Sequence, residues 1–279
     1  MTNTQLELIA YKIRGHALNG VHSAKSGHPG GSLSIAEIMS VLYFDEMNVN
    51  PQNPKDADRD RFVLSKGHCA PALYGALAEK GFIPKEDIST LRSADSYLQG
   101  HPDMKHIPGV DMSTGSLGQG ICAANGMALA AKLDGKSYRV YTILGDGECE
   151  EGQVWEAAMF ASHYKLDNLV AFLDFNGLQI DGDITKVMNP TPFDAKFEAF
   201  GWNVITIDAH SVEEIKNALA EAKTCKGKPT LILAKSVKGK GVSFMENEAG
   251  WHGNAPGDEQ YAQAMEEINA KINKLEERA

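Results

Sequence analysis

The run Gly145-Asp146-Gly147 closes one apolar stretch and Asn176 closes the next, with residues 148–175 between them. A carboxylate and a carboxamide offered from two adjacent strand ends present hard oxygen ligands to one crevice, which suits a divalent cation that prefers octahedral geometry. The flanking glycines leave the backbone open to the close approach of a diphosphate. A Gly-Asp-Gly triplet alone is ordinary turn sequence. The asparagine at this spacing, on the predicted end of the neighbouring strand, directs the pair to a metal-diphosphate site.

The elements that must position these groups can be read from the pattern. Short apolar strands are predicted at 138–144, 168–174, 203–208 and 229–235, with a further short strand in RFVLSKGH. Helical stretches separate them. EEGQVWEAAMFASHYK has the length of a crossover helix, and Ser211 precedes Glu214 in a capping-box pattern ahead of Ile215 and Leu219. APALYGALAEKG and ICAANGMALAAKL also read as helices, and Leu6, Ile9, Ile13 and Ala17 give the first helix its apolar stripe. SAKSGHPGGS then breaks that period as a shaped loop, and Pro51 and Pro54 mark another. Alternating strand and helix predicts an α/β protein with a mostly parallel sheet. Ligands of such sheets lie outside the carboxyl ends of the strands, where Asp146 and Asn176 are placed. From Tyr261 through Met265, Ile268, Ile272 and Leu275 the apolar steps are those of an amphipathic helix, so residues 259–279 are expected to pack on the domain formed by 1–258 or on a partner.

Composition narrows the function classes. The chain has 279 residues, 43% of them hydrophobic, and a formal net charge of −10. An acidic balance disfavours a general nucleic-acid surface, since backbone phosphates are held by excess cations. No apolar run is long enough for a membrane span, and the first residues lack the layout of a signal peptide, so a cytoplasmic protein is expected. Cys69, Cys122, Cys149 and Cys225 form no CxxC pair and are read as ordinary reduced residues.

The text GDGECEEGQVWEAAMFASHYKLDNLVAFLDFNGLQIDG resembles transketolase, and Gly-Asp-Gly followed by Asn at this distance is the motif of thiamin-diphosphate enzymes. SGHPGGS, SKGHCAPALY, GHPD, STGSLGQG and KGKGVSFMENEAGWHG extend the resemblance over nearly the whole chain. It implies the thiamin-diphosphate-binding fold, with helices on both faces of the sheet. Phe175 stands where the broader family often has another asparagine, a position that holds no metal.

The resemblance implies roles residue by residue. Asp146, Asn176 and the backbone carbonyl of Leu178 would hold Mg²⁺, Ca²⁺ or Mn²⁺, and Gly147 would lie against the diphosphate. Gly115 and Leu117 match the loop under the aminopyrimidine, Ile180 an apolar contact to the cofactor, and Lys238 a basic contact near the diphosphate, against the alternative of a solvated loop lysine. His28, His68, His101 and His252 match the imidazoles that line the funnel, contact substrate and assist proton transfer, with His68 and His252 also beside the cofactor. Imidazole suits that work because it titrates near neutral pH. Glu151 is either an acidic residue at a helix start or a member of a carboxylate network between active sites. His16, His22, His106, His163 and His210 are read as structural or surface residues.

In the family a glutamate from a second, pyrimidine-binding domain activates the cofactor, and arginines hold the substrate phosphate; the chain offers no match to either. The resemblance therefore implies the amino-terminal subunit of a split transketolase, which transfers a two-carbon ketol unit between sugar phosphates once a carboxy-terminal subunit completes an α2β2 assembly. The alternatives are the alpha-type subunit of a 2-oxo acid dehydrogenase, a deoxyxylulose-phosphate synthase fragment, or a non-catalytic cofactor-binding relic. SGHPGG and SKGH favour transketolase.

Overall fold

The first helix, α1 (Asn3–Ala24), starts at a Thr2–Gln5 capping box and ends at Lys25 in the left-handed conformation. The computed structural model describes residues 1–279. Next come α2 (Pro29–Leu33), with proline at its first position, and α3 (Ala36–Val41), which continues into a wider turn at Leu42–Glu46. SGHPGGS is therefore a loop only as far as His28. Strand β1 (Arg61–Leu64) leads through a tight turn at Gly67–Cys69 to α4 (Ala70–Lys80). A long irregular segment then reaches α5 (Gln119–Leu133), β2 (Val140–Gly145), α6 (Gly152–His163) and β3 (Leu169–Phe175). A small antiparallel hairpin, β4 (Leu178–Gln179) with β5 (Gly182–Asp183), precedes α7 (Ile184–Val187) and α8 (Phe193–Ala199). Then follow β6 (Asn203–Asp208), α9 (Val212–Thr224), β7 (Thr230–Lys235) and α10 (Asp258–Glu276).

The five main strands form one parallel sheet in the order β1-β2-β3-β7-β6. Period-two alternation sends their side chains to opposite faces. Tyr141, Ile143, Val170, Phe172 and Ile232 join a core with α1, α3, α4 and α9, while Val140, Leu144, Ala171, Leu173 and Leu231 join a second with α5, α6 and α8. Both faces are covered, as parallel sheets require. Register fixes the site: Gly145 is level with Asp174, so Asp146 and Asn176 emerge side by side from neighbouring strand ends.

Two local features qualify the sequence reading. Ser211 caps α9 by accepting from Glu214 N, but the Glu214 carboxylate accepts from Asp208 N, at the end of β6, instead of returning to Ser211. The carboxylate thus joins strand to helix. The tail helix lies along α1, with Ala264 and Ile268 fully buried beside Leu18, Leu33, Val242 and Met245. Burying a side chain such as Ile268 contributes about 1.5–3 kcal/mol. No helix is long and apolar enough to cross a membrane.

Candidate functional site

The carboxyl ends of β2 and β3 open into a cavity of about 350 Å³. It is lined by Asp146, Gly147, Asn176, Leu178 and Ile180 from these strand ends, by Gly115 and Leu117 from the loop before α5, and by His28, His68, Lys238, His252 and Glu151. Of the residues expected from the sequence, His101 lies just outside this lining, exposed, with its ring 6.4 Å from that of His28. Ile180 is 64% exposed and sits at the mouth.

Asp146 is buried, and its two oxygens accept from Gly147 N at 2.8 Å and Gly177 N at 2.6 Å. Each retains a lone pair. Burial first, then the neighbouring Asp174 charge, raises its pKa to about 6, against the opposing pull of the Gly177 N–H and Lys238. A buried carboxylate held beside another negative charge is a site that a divalent cation relieves. Asn176 Nδ2 donates to Asp174 at 3.0 Å, and Asn176 Oδ1 accepts from Leu178 N at 3.1 Å, so the amide is oriented by two independent bonds. The Leu178 carbonyl accepts from Lys238 Nζ at 2.9 Å. One carboxylate, one amide oxygen and one backbone carbonyl make a hard oxygen donor set that fits Mg²⁺ or Ca²⁺.

Three imidazoles meet in the lining of the same cavity. His28 lies 5.2 Å from His68 and 5.6 Å from His252, and His68 lies 5.1 Å from His252, measured between ring centroids. Burial, reinforced by Arg92, His101 and Lys238, lowers His28 to about 4; burial and Lys238 with other nearby cations lower His252 to about 3. His68 is held well below its ordinary value by burial and Lys66, and His101 is lowered by burial and Arg92. All four are neutral at pH 7. Nδ1 of His28 and Nδ1 of His252 are buried without a protein partner. Buried polar nitrogens normally find partners, and here both lie on rings facing a cavity of cofactor size, so these residues fit a polar ligand between them.

Gly115 adopts a backbone conformation that favours glycine, and Gly147 has little room for a side chain. Gly115 has φ +151°, and a Cβ there would meet His101 Cδ2 at 2.9 Å; a Cβ on Gly147 would meet Gln179 Oε1 at 2.9 Å.

A family profile described as transketolase, thiamine diphosphate binding domain, matches residues 6–274. The chain belongs to the transketolase family. It is 48% identical over 271 residues to the 6-deoxy-6-sulfo-D-fructose transketolase subunit SqwG of Clostridium sp. (strain MSTE9), covering 96% of this chain and 98% of that one. It is 45% identical to an apulose-4-phosphate transketolase subunit of Phocaeicola vulgatus, covering 97% of this chain and 96% of that one. Human transketolase is 46% identical over 94% of this chain, but the match spans only 42% of the human protein. The crystal structure of transketolase from Campylobacter jejuni superposes with a TM-score of 0.91 at 35% identity, over 99% of this chain and 46% of that one. The chain thus matches transketolase subunits nearly end to end and spans under half of the full-length transketolases, as the motifs led us to expect.

Within this transketolase domain, three site-shaping residues escape a reading by motif role. Lys66, inside SKGH, places its ammonium 2.5 Å from Asp174 Oδ2 and 2.9 Å from the Gly31 carbonyl, all buried. Asp174 also accepts from Ser34, Ser236 and Asn176. Glu148 accepts from Gly118 N at 2.9 Å, Gly145 N at 3.0 Å and the Ser65 hydroxyl, which ties the STGSLGQG loop to β2. A lysine beside a motif histidine and a polar residue ending an apolar strand were the available signals. Of the remaining histidines, His16 pairs with Glu79, His22 stacks on Tyr261 beside Asp258, His106 pairs with Asp103 and His163 abuts Tyr164.

Proposed function

We propose that this chain is the cofactor-gripping, amino-terminal subunit of a two-chain transketolase. The observation that carries this reading is the convergence, in one cavity, of the Asp146–Asn176–Leu178 oxygens with the His28, His68 and His252 imidazoles. Bound thiamin diphosphate supplies the carbon nucleophile and electron sink by which the bond beside a ketose carbonyl is broken.

The chain's own residues do the rest of the work on this side of the site. Asp146, Asn176 and the Leu178 carbonyl would hold Mg²⁺ or Ca²⁺, and Lys238 meets diphosphate charge. Gly147 and Gly115 let the backbone lie against the cofactor. A neutral imidazole carries one N–H and one lone pair, so His28, His68, His101 and His252 can donate to a carbonyl oxygen gaining charge or take a proton from a substrate hydroxyl. Because burial keeps His28, His68 and His252 neutral, they do so without placing extra positive charge beside Lys238.

A separate chain bearing the pyrimidine-binding domain completes the site in an α2β2 assembly. Near-complete overlap with two proteins named as subunits supports this division. Their names also guide the substrate class: a ketose carrying a phosphate or sulfonate as donor, and an aldose as acceptor. Glu151, exposed at the cavity, would belong to the carboxylate network at the junction of subunits. The purified chain alone is expected to show negligible ketol transfer and to gain it on addition of the partner, followed by release of the acceptor-extended sugar. Full turnover by the lone chain would overturn the two-chain reading.

A further inference from the structure

The loop after β7 carries Lys238, whose carbonyl accepts from Asn247 N at 2.9 Å, and three N–H groups of the loop tie its backbone to neighbouring elements. Ser236 N donates to the Phe175 carbonyl at 3.0 Å, Gly239 N to the Gly30 carbonyl at 2.9 Å, and Val237 N to Nε2 of His210 at 2.9 Å. The first two are backbone bonds to β3 and α2. The third reaches a side chain from the loop after β6, and its direction fixes the chemistry of that side chain. A backbone N–H can only donate, so Nε2 of His210 carries the lone pair and the ring proton sits on Nδ1.

Nδ1 of His210 lies 3.1 Å from Oε2 of Glu37, on α3. The same oxygen accepts from Arg14 Nη2 at 2.6 Å, and Arg14, fully buried on α1, also donates Nε to the Leu33 carbonyl at 3.1 Å. Burial would raise the Glu37 carboxyl, but the Arg14 charge and the His210 bond outweigh it and hold the pKa down to about 2. Glu37 is therefore a permanent acceptor at neutral pH, and a permanent acceptor keeps the proton on Nδ1. The root of the ring is fixed as well, since His210 N donates to Asp208 Oδ1 at 2.8 Å. A chain of bonds, buried at Arg14 and Glu37 and half-buried at His210, thus runs from α1 through α3 to Val237, next to the lysine whose ammonium reaches the Leu178 carbonyl.

We propose that His210 is a positioning residue for the diphosphate crevice: held as the Nδ1–H tautomer by Glu37, its Nε2 fixes Val237 and thereby aims Lys238 at the ends of β2 and β3. The proposal rests on the reading of that crevice as a diphosphate site. His210 itself lines a different cleft, at the ends of β6 and β7 beside Asp208, Lys235 and Lys240, and acts on the ligand only through the loop.

The variants His210→Gln and His210→Phe separate geometry from bulk. Glutamine retains a donor for Glu37 and an acceptor for Val237; phenylalanine retains the ring and neither. Magnesium pyrophosphate, titrated calorimetrically into the free chain, is the probe. The phenylalanine variant is expected to bind about tenfold more weakly, through loss of the bond that holds Val237, and the glutamine variant to restore most of that loss. Nitrogen-15 spectra of the wild-type imidazole should show a protonated Nδ1 and a bare Nε2. The Val237 amide should exchange slowly in wild type and the glutamine variant and fast in the phenylalanine variant. A protonated Nε2 with intact pyrophosphate binding overturns the role of His210 alone, as does a phenylalanine variant that binds like wild type. A wild-type chain with the expected tautomer that takes up no magnesium pyrophosphate overturns the diphosphate reading and the proposal with it. Should the phenylalanine variant fail to fold, the wild-type spectrum and the glutamine titration decide between these outcomes.

Discussion

Asn176 Nδ2 donates to Asp174 Oδ2 at 3.0 Å, and the same carboxylate oxygen lies 2.5 Å from the Lys66 ammonium. A buried ion pair from two elements therefore dictates which way the Asn176 amide faces: nitrogen inward to Asp174, oxygen outward to the crevice. Lys66 and Asp174 are at most 2% exposed, so neither can fall back on water.

Removing one partner of such a pair strands the other. Asp174→Asn is expected to destabilise the chain by about 3 kcal/mol or more, the range for an uncompensated buried charge. It should also free the Asn176 amide. Urea unfolding reads the first effect, and magnesium-dependent cofactor binding the second; unchanged stability would contradict the placement of Lys66.

Asp146→Ala removes the one carboxylate of the oxygen donor set. Retention of thiamin diphosphate in the presence of Mg²⁺ should fall by about 100-fold or more, since a hard divalent ion depends on charged oxygen ligands. Calorimetric titration with and without chelator is the measurement. Equal affinity for wild type and variant would remove Asp146 from the metal site.

The imidazole cluster makes a prediction about pH. His28 and His252 are lowered in the folded chain to about 4 and about 3, chiefly by burial, whereas in the unfolded chain they titrate near 6.5. Between those values the unfolded chain binds protons that the folded chain refuses, so stability falls as pH drops from about 6.5 toward 4 and is fully present above 6.5. Glu37 contributes in a lower window, its stabilisation being lost as pH falls from the ordinary carboxylate range toward 2. In a series of urea melts, the His28→Gln variant should lose less stability than wild type between pH 6.5 and 4. A parallel decline in the two proteins would argue that His28 is protonated in the fold.

Glu148 is surrounded by donors, from Gly118 N, Gly145 N and Ser65. Glu148→Gln is nearly isosteric, yet it points an NH₂ group at backbone N–H groups that need an acceptor. A loss of about 1–3 kcal/mol is expected, from buried donors left unpaired. Faster amide exchange at Gly118 would localise the damage to the loop carrying Gly115 and Leu117. A variant as stable as wild type, with Gly118 still protected, would mean that this carboxylate is dispensable.

Much of this molecule is local in origin. Alternating apolar strands and helices, the glycines and aspartate after β2 and the asparagine after β3 follow from short-range periodicity and turn chemistry, and they suffice to set two side-chain oxygens at the carboxyl end of the sheet. The stripe from Tyr261 to Leu275 likewise specifies a helix with one apolar face, whereas its seat along α1 depends on where the chain returns. The order β1-β2-β3-β7-β6 is a further matter for the tertiary structure, because strand alternation carries no information on which neighbour each strand takes. So are the pairings of Lys66 with Asp174, Ser65 with Glu148, and Glu37 with His210, whose partners lie 108, 83 and 173 residues apart. Charge and hydrogen-bond complementarity act through space, and only the folded sheet brings those groups within reach of one another.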